Sequence, residues 1–573
     1  MSKDFEDFDD IDNLENKDEP LDGAGEIDRS LAQDADDRGF AQDADDRSLV
    51  ENADDRSLLQ DDDESGDDKT GRKSEKRFGR KKEKKVLTKK QKIIRILVAV
   101  GIVALLILYF NLGYARNDKR IKQLLALEGV TEVKEIWHVP FSFFSDKYMV
   151  TFEQPLDWSD SSSDTFSQRV VVGFRKNAKI NVIETDGYCL GDVMMPGYIS
   201  FEKPAELAKM YNGNYIHVEH RFFGKSRPED MSNTDTKYWE YHTSENAAND
   251  YHRIYTSLKS VLGEKWASVG TSRGGLMTNV YGYYYPDDMM VYVPYVAPCS
   301  DGMDDERFYK NIYTTIGDIS YGEGKAKKYR DMVTAFQVEA MRYKADNMPK
   351  YKKKVNGAMY SFVDYVEPET LYDLNVLEFA TQFWQTGKDF KKIEKILDMP
   401  DSNEKEHSKK AKEVYKLLLS VQNPQDWSNK FFAWPYYVNT AMEYGQYHYD
   451  FSYLREALKE AGLEDTLSVT EEMEEDFLRN MVFTEEQKKA FVYDGTFHDG
   501  LVASIETTNA KHLMIFGGRD PWYGVAIPAK ENDNIKMYVN PDYPHSSCIK
   551  NMPRKTKKEI IGILDGWLGE KAK

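Results

Sequence analysis

A serine becomes a nucleophile when a base takes its proton and an acid orients the base. Residues 270–274 read Gly-Thr-Ser-Arg-Gly, a G-x-S-x-G pattern centred on Ser272. Far downstream, Asp520 stands in Gly517-Gly-Arg-Asp520-Pro-Trp522, and a single histidine follows it in the chain, His545 in Asn540-Pro-Asp-Tyr-Pro-His545. Serine, then acid, then histidine is the order that acyl-transfer chemistry uses on one common scaffold. Asp542 is a second acid, but three residues before His545 it is badly placed to orient the imidazole. Asp520 could also be a turn cap and His545 a surface loop residue. The oxyanion formed on attack needs two donors: the backbone N–H of Arg273 and one from the loop after the third strand, at Tyr188. The Arg273 side chain is not needed for that and is free to face solvent.

These residues must be held by particular elements. The bare G-x-S-x-G pattern is weakly specific; its flanks carry the reading. Trp266 to Val269 is a short apolar run suited to a buried strand, and Arg273 to Tyr285 has helical spacing with Pro286 as a stop. A strand entering a helix through a glycine-flanked serine is the nucleophile elbow of an α/β-hydrolase. The alternative is a helix-entry turn whose serine is only a cap. Further strands are expected at Lys147–Glu153, Gln168–Arg175, Ile180–Thr185, Asn214–Glu219, Met290–Val296, His512–Phe516 and Asn534–Val539. Helices are expected at Glu245–Leu262 and Lys555–Leu568. Asp520 and His545 then fall in the loops after the last two strands. Between the sixth strand and those two, the texture turns helical (Arg330–Ala345, Leu374–Trp384, Lys409–Val421). The fold class is therefore α/β: an α/β-hydrolase core at 146–300 and 501–573, with a helical cap inserted at 301–500.

The chain has 573 residues and a net charge of −20, but the charge is uneven. Residues 1–70 hold 27 Asp and Glu against 7 Lys and Arg, with Arg29, Arg38, Arg47 and Arg56 recurring every nine residues. So charged and apolar-poor a stretch is expected to be a disordered tail; a solenoid is the competing reading of the repeat. Residues 71–95 are a basic juxtamembrane segment. Ile96–Tyr114 carries no charge over 19 residues, about 28 Å as a helix, enough to cross a bilayer. Lys and Arg crowd its N-terminal flank, which puts the N-terminus in the cytoplasm and everything after residue 115 outside the cell membrane, with 115–145 as a stalk. A cleaved signal peptide is the alternative, disfavoured by the length of the charged leader. No dense basic surface suggests nucleic acid. Three cysteines exclude a disulfide framework, and without C-x-x-C or H-E-x-x-H no metal or other cofactor is expected. Oligomeric state is not readable.

Several ordered segments carry a family resemblance. They are Phe152-Glu-Gln-Pro-Leu-Asp157, Thr165-Phe-Ser-Gln-Arg169, Glu219-His-Arg-Phe-Phe-Gly-Lys-Ser-Arg-Pro228, Ala247-Ala-Asn-Asp-Tyr-His-Arg-Ile254, Lys265-Trp266 with the elbow, Tyr285-Pro-Asp-Asp288 and Val293-Pro-Tyr-Val-Ala-Pro298. Together they resemble the secreted bacterial prolyl tri/tetrapeptidyl aminopeptidases, related to the lysosomal Pro-X carboxypeptidase and dipeptidyl-peptidase group. The resemblance implies a serine exopeptidase with Ser272, Asp520 and His545 as its triad, releasing short peptides, proline-favouring, from the N-terminus of peptide substrates. The acidic tail and anchor depart from the usually secreted family. Competing functions are an esterase or lipase on the same triad, and a non-catalytic envelope protein on a hydrolase fold. An aminopeptidase must recognise a free ammonium, and the aromatic stretch from Trp434 to Tyr447 contains an acid, Glu443. Trp434, Glu443 and Trp522 are the expected substrate-binding residues; the structural alternative makes Glu443 an exposed helix residue beside a packed tyrosine stripe.

Overall fold

The computed structural model describes residues 117–136, 143–190, 205–231, 236–356, 366–422 and 430–573 (apart from 476 and 491), with four isolated positions between 90 and 101. The acidic tail and nearly all of the 96–114 segment lie outside the described residues. Among those described, no helix is long and apolar enough to cross a membrane.

Nine strands form one sheet: β1 (Val130–Glu135), β2 (Asp146–Pro155), β3 (Thr165–Phe174), β4 (Asn181–Thr185), β5 (Asn214–Val218), β6 (Trp266–Thr271), β7 (Tyr292–Tyr295), β8 (His512–Gly517) and β9 (Ile535–Asn540). Their spatial order is β1-β2-β3-β5-β4-β6-β7-β8-β9. β1 to β3 pair antiparallel, β3 meets β5 antiparallel, and every pairing from β5 to β9 is parallel. Parallel strands need both faces covered, so their residues are apolar in succession rather than alternately. Neighbours Val182 and Ile183 are both buried, on opposite faces, as are Leu513 and Met514. The strand order, with a reversal at β5 and β4 and helices on both faces, is that of an α/β-hydrolase core.

One expectation needs correction. The stretch 115–145, read as a stalk, contains β1, which joins the sheet edge with Val133 opposite Val150. Its sequence Val-Thr-Glu-Val-Lys-Glu is short and charged because an edge strand faces water, so it lacks the signal of an interior strand.

Two helices flank the serine. Helix α1 (Ser244–Leu262) starts where Thr243 accepts the N–H of Asn246, and ends at Gly263, whose φ of 87° suits glycine. Helix α2 (Arg273–Tyr284) follows β6 directly. A buried pair ties α1 to the loop after β5: Arg221 donates from Nε and Nη2 to both oxygens of Asp250, each 2.8 Å, and neither side chain is exposed.

Between β7 and β8 the chain is helical, including Glu323–Arg342, α3 (Pro368–Gln385), Glu404–Val421 and α4 (Lys430–Asn439). Phe336, Phe379, Leu418 and Leu454 are fully buried in an apolar core of this stretch, separate from the two cores on the sheet faces. The helix Thr496–Thr507 belongs instead with the sheet, burying Leu501 and Ile505 against it. At the start of β8, His512 is fully buried and stacks on Tyr292 with ring centroids 5.1 Å apart, and neither ring nitrogen has a hydrogen-bond partner among the described residues.

Candidate active site

Ser272 sits between β6 and α2 at φ 57°, ψ −124°, a conformation that L-residues rarely adopt. Its glycine neighbours are there for space. A Cβ on Gly270 would lie 2.0 Å from the carbonyl oxygen of Gly274, and one on Gly274 would lie 2.6 Å from that of Thr185. Strand and helix touch through these two residues, and the turn is pinned by the Ser272 N–H donating to Tyr295 O at 2.9 Å. A helix-entry cap would instead have its side chain accept from the first turn. Ser272 makes no such bond.

Asp520 follows β8 and is 1 % exposed. Its two oxygens divide the work: Oδ1 accepts the N–H of Trp522 at 3.1 Å, and Oδ2 meets Nδ1 of His545 at 2.8 Å. The capping role and the pairing with histidine thus coexist in one carboxylate. The bond at Nδ1 leaves Nε2 as the imidazole nitrogen for chemistry. Asp542 is exposed and makes no contact with the imidazole. Ser272 opens into a pocket lined by Tyr188, Arg273, Leu276, Tyr436, Tyr444 and Trp522, among others. The Trp522 ring lies 6.3 Å from that of His545. His545 itself borders a second cavity, which reaches Gly270 and Thr271 at the start of the same turn.

Two expectations about the oxyanion donors change. The Arg273 side chain does not face solvent: the residue is 3 % exposed, and its guanidinium donates to Gly187 O and to Asn439 Oδ1. The cation lies 4.9 Å from the ring centre of Phe223 and 5.3 Å from that of Tyr444. The sequence could not show this, since Asn439 is 166 residues away. The Tyr188 N–H is not free either. It donates to Oδ1 of Asp186 at 2.8 Å, an Asx turn whose other oxygen meets His217 at 2.8 Å. The N–H of Gly187, one residue earlier, has no partner among the described residues, and Gly187 abuts the elbow: a Cβ on it would lie 2.6 Å from Gly274 N. The backbone N–H of Arg273, first in α2, has no acceptor within its own helix.

Of the expected substrate-binding residues, Trp522 lines the pocket, its Nε1 donating to Gln385 Oε1 at 2.8 Å. The Trp434 side chain lies outside the described residues. Glu443 is not among the pocket-lining residues, although Tyr444, Gly445 and Gln446 are. Its Oε2 accepts both the N–H (2.7 Å) and the hydroxyl (2.5 Å) of Ser244, the first residue of α1. Burial pushes the Glu443 carboxyl up to about 7.

Sequence reasoning missed several contributors. Residues Thr440–Tyr444 form a π-helical turn against the pocket, an irregularity with no simple sequence signal. Gln385, at the end of α3, accepts from Trp522 with its side chain and from the His545 N–H (3.3 Å) with its carbonyl. Glu378, also on α3, accepts from Tyr309 (2.7 Å) and Tyr447 (3.1 Å), and burial pushes its carboxyl up to about 7. Tyr447 in turn stacks on Phe308 at 4.2 Å, and Phe308 packs on Trp522 at 4.7 Å.

A serine on a strained strand-to-helix turn, with a histidine–aspartate pair on the loops after β8 and β9, defines a serine hydrolase of α/β-hydrolase type. The sequence matches the family described as PS-10 peptidase S37 over residues 117–442, more than half of the chain, and the protein belongs to that family. It is also similar to the prolyl tri/tetrapeptidyl aminopeptidase of Streptomyces mobaraensis, 24 % identical over 460 residues that cover 78 % of this chain and 84 % of the relative. Among solved structures it is similar to a proline iminopeptidase of Mycobacterium smegmatis (12 % identity, TM-score 0.27, covering 73 % of this chain and 98 % of that one). A peroxisomal alpha-beta-hydrolase of Saccharomyces cerevisiae is similar at the same level (11 %, TM-score 0.32, 74 % and 89 %).

Proposed function

We propose that this serine peptidase is a membrane-anchored, extracellular aminopeptidase that releases short, proline-favouring peptides from the N-terminus of its substrates. The single observation that supports it best is the strained Ser272 turn together with the bond between His545 and Asp520. In this reading Ser272 Oγ attacks the scissile carbonyl while His545 Nε2 takes its proton, and Asp520 holds the imidazole in the required tautomer. The oxyanion accepts from the N–H of Arg273 and of Gly187. Collapse of the intermediate breaks the C–N bond, and His545 returns the proton to the departing amine. Water then repeats the sequence on the acyl-enzyme, releasing the N-terminal peptide with a new carboxylate.

The helical stretch between β7 and β8 serves as a cap over Ser272, since Tyr436, Thr440, Tyr444 and Gln446 line the pocket from that side. Flat aromatic walls suit a proline ring, in keeping with the name of the Streptomyces relative. Segment 96–114 is the anchor, and the basic flank before it sets the orientation.

A fluorophosphonate probe tests the nucleophile. The wild-type protein labels stoichiometrically and cleaves Pro-containing peptide anilides faster than simple esters, whereas Ser272→Ala neither labels nor turns over. Labelling retained in Ser272→Ala would overturn the assignment. A strong preference for esters over every peptide would favour an esterase instead.

A further inference from the structure

Arg273 is expensive where it stands. It is 3 % exposed, and among the described residues no carboxylate lies within ion-pair distance. Its Nε is buried without a hydrogen-bond partner. The charge is felt by its neighbours: burial, with this cation contributing, holds the nearby His220 and His242 neutral. A methionine or leucine would fill the space without the desolvation cost of a guanidinium. What an apolar side chain would lack is the pair of directed bonds.

Those bonds have a pattern. Nη1 donates to the carbonyl of Gly187, and Nη2 to Oδ1 of Asn439 at the end of α4. Asn439 is fully buried and its amide nitrogen donates to the carbonyl of His242 at 2.7 Å, so both ends of the amide are committed. On the other side, the Gly187–Tyr188 peptide unit is held twice, by Arg273 at its carbonyl and by Asp186 at its N–H. A peptide fixed at both ends cannot rotate, and the Gly187 N–H beside it is thereby held against the elbow.

We propose that the Arg273 side chain is a positioning residue: it fastens the 186–188 loop to the nucleophile turn, and Asn439 holds the guanidinium in the orientation that does so. The loop is then in register for catalysis only while the end of α4 stays docked against His242, in the loop before α1, and against the elbow. This rests on Ser272 being the nucleophile.

The test measures kcat per fluorophosphonate-titrated site and KM on a proline anilide. Arg273→Met keeps the backbone N–H of residue 273 and is expected to lower kcat roughly 100-fold with KM within about threefold, the size of losing an oxyanion contact. Arg273→Lys recovers part of the loss, because an ammonium reaches one of the two acceptors but not both. Asn439→Ala lowers kcat about tenfold, and the double variant is no slower than Arg273→Met, since both act through one guanidinium. A kcat within about twofold of wild type in Arg273→Met overturns the proposal. So does a double-variant loss nearer the product of the single losses than the larger of them. If Arg273→Met does not fold, as judged by its melting curve, Asn439→Ala decides: an unchanged kcat overturns the proposal, and a lowered kcat at unchanged KM supports it. Loss of the nucleophile reading would show separately, as labelling in Ser272→Ala.

Discussion

Glu443 and His512 show how much a single side chain can be asked to do. The Glu443 carboxyl is already engaged by Ser244 at the start of α1, where a carboxylate is favoured by the helix dipole. Glu443→Gln is therefore expected to lower turnover of free and N-acetylated peptides equally. A loss confined to free N-termini, on the order of 2–5 kcal/mol in transition-state stabilisation, would show that the carboxylate binds the amine instead. His512 makes a different prediction. Burial holds its imidazole down at about 3, against 6.5 in the unfolded chain. A depressed value means stability that is full above 6.5 and falls as the pH drops toward 3, because the unfolded state takes up the proton first. Between pH 7.5 and pH 5 this one group costs about 2 kcal/mol. Urea unfolding of His512→Phe should lack that component, and an identical pH dependence in variant and wild type would refute it. The positions of Ser272, Asp520 and His545 just past strand ends were legible in the sequence, as was the pairing of Asp520 with the one histidine that follows it. Tyr188 was misjudged for a local reason: Asp186 captures its amide two residues away, and no pattern distinguishes a donated N–H from a free one.

At the scale of elements, the strands and α1 were readable because burial on both faces leaves successive apolar residues in the strands and the apolar positions of 245–262 recur at helical spacing. β1 was not, since an edge strand pairs through its backbone while its side chains stay polar. The Arg221–Asp250 pair was equally invisible, its partners lying 29 residues apart on a loop and a helix. Arg221 also donates to the carbonyls of Leu156 and Tyr241, each at 2.8 Å, so it joins the β2–β3 turn, the loop before α1 and α1 itself. Removing one partner strands the other charge in the interior. Arg221→Met should cost about 3–5 kcal/mol in urea unfolding, and Arg221→Met with Asp250→Leu less than that. A larger loss in the double variant would mean that the pair itself, not the orphaned aspartate, carries the stability.

For the whole molecule, the charge distribution along the chain sets the expectation. Proteinase added to intact cells should remove the residues after 115 and spare an epitope placed within 1–70. Cleavage of that epitope from outside would reverse the orientation. The catalytic half of the chain is legible from sequence in its sheet and opaque in its helical stretch. Sheet strands announce themselves by local composition, whereas the helices that line the pocket are defined by partners far away in the chain.

The double use of Gln385 bears on how this enzyme could be rebuilt. One residue at the end of α3 supports the pocket wall through its side chain and the His545 loop through its main chain. The helical stretch is consequently not a portable part. A chimera that imports the corresponding helices from another hydrolase must end one of them at this same point, with a carbonyl facing the histidine loop. Without that, the graft would bring a new specificity surface and leave the His545 loop without its tether. Recombination between family members would succeed at junctions outside α3 and fail at junctions within it.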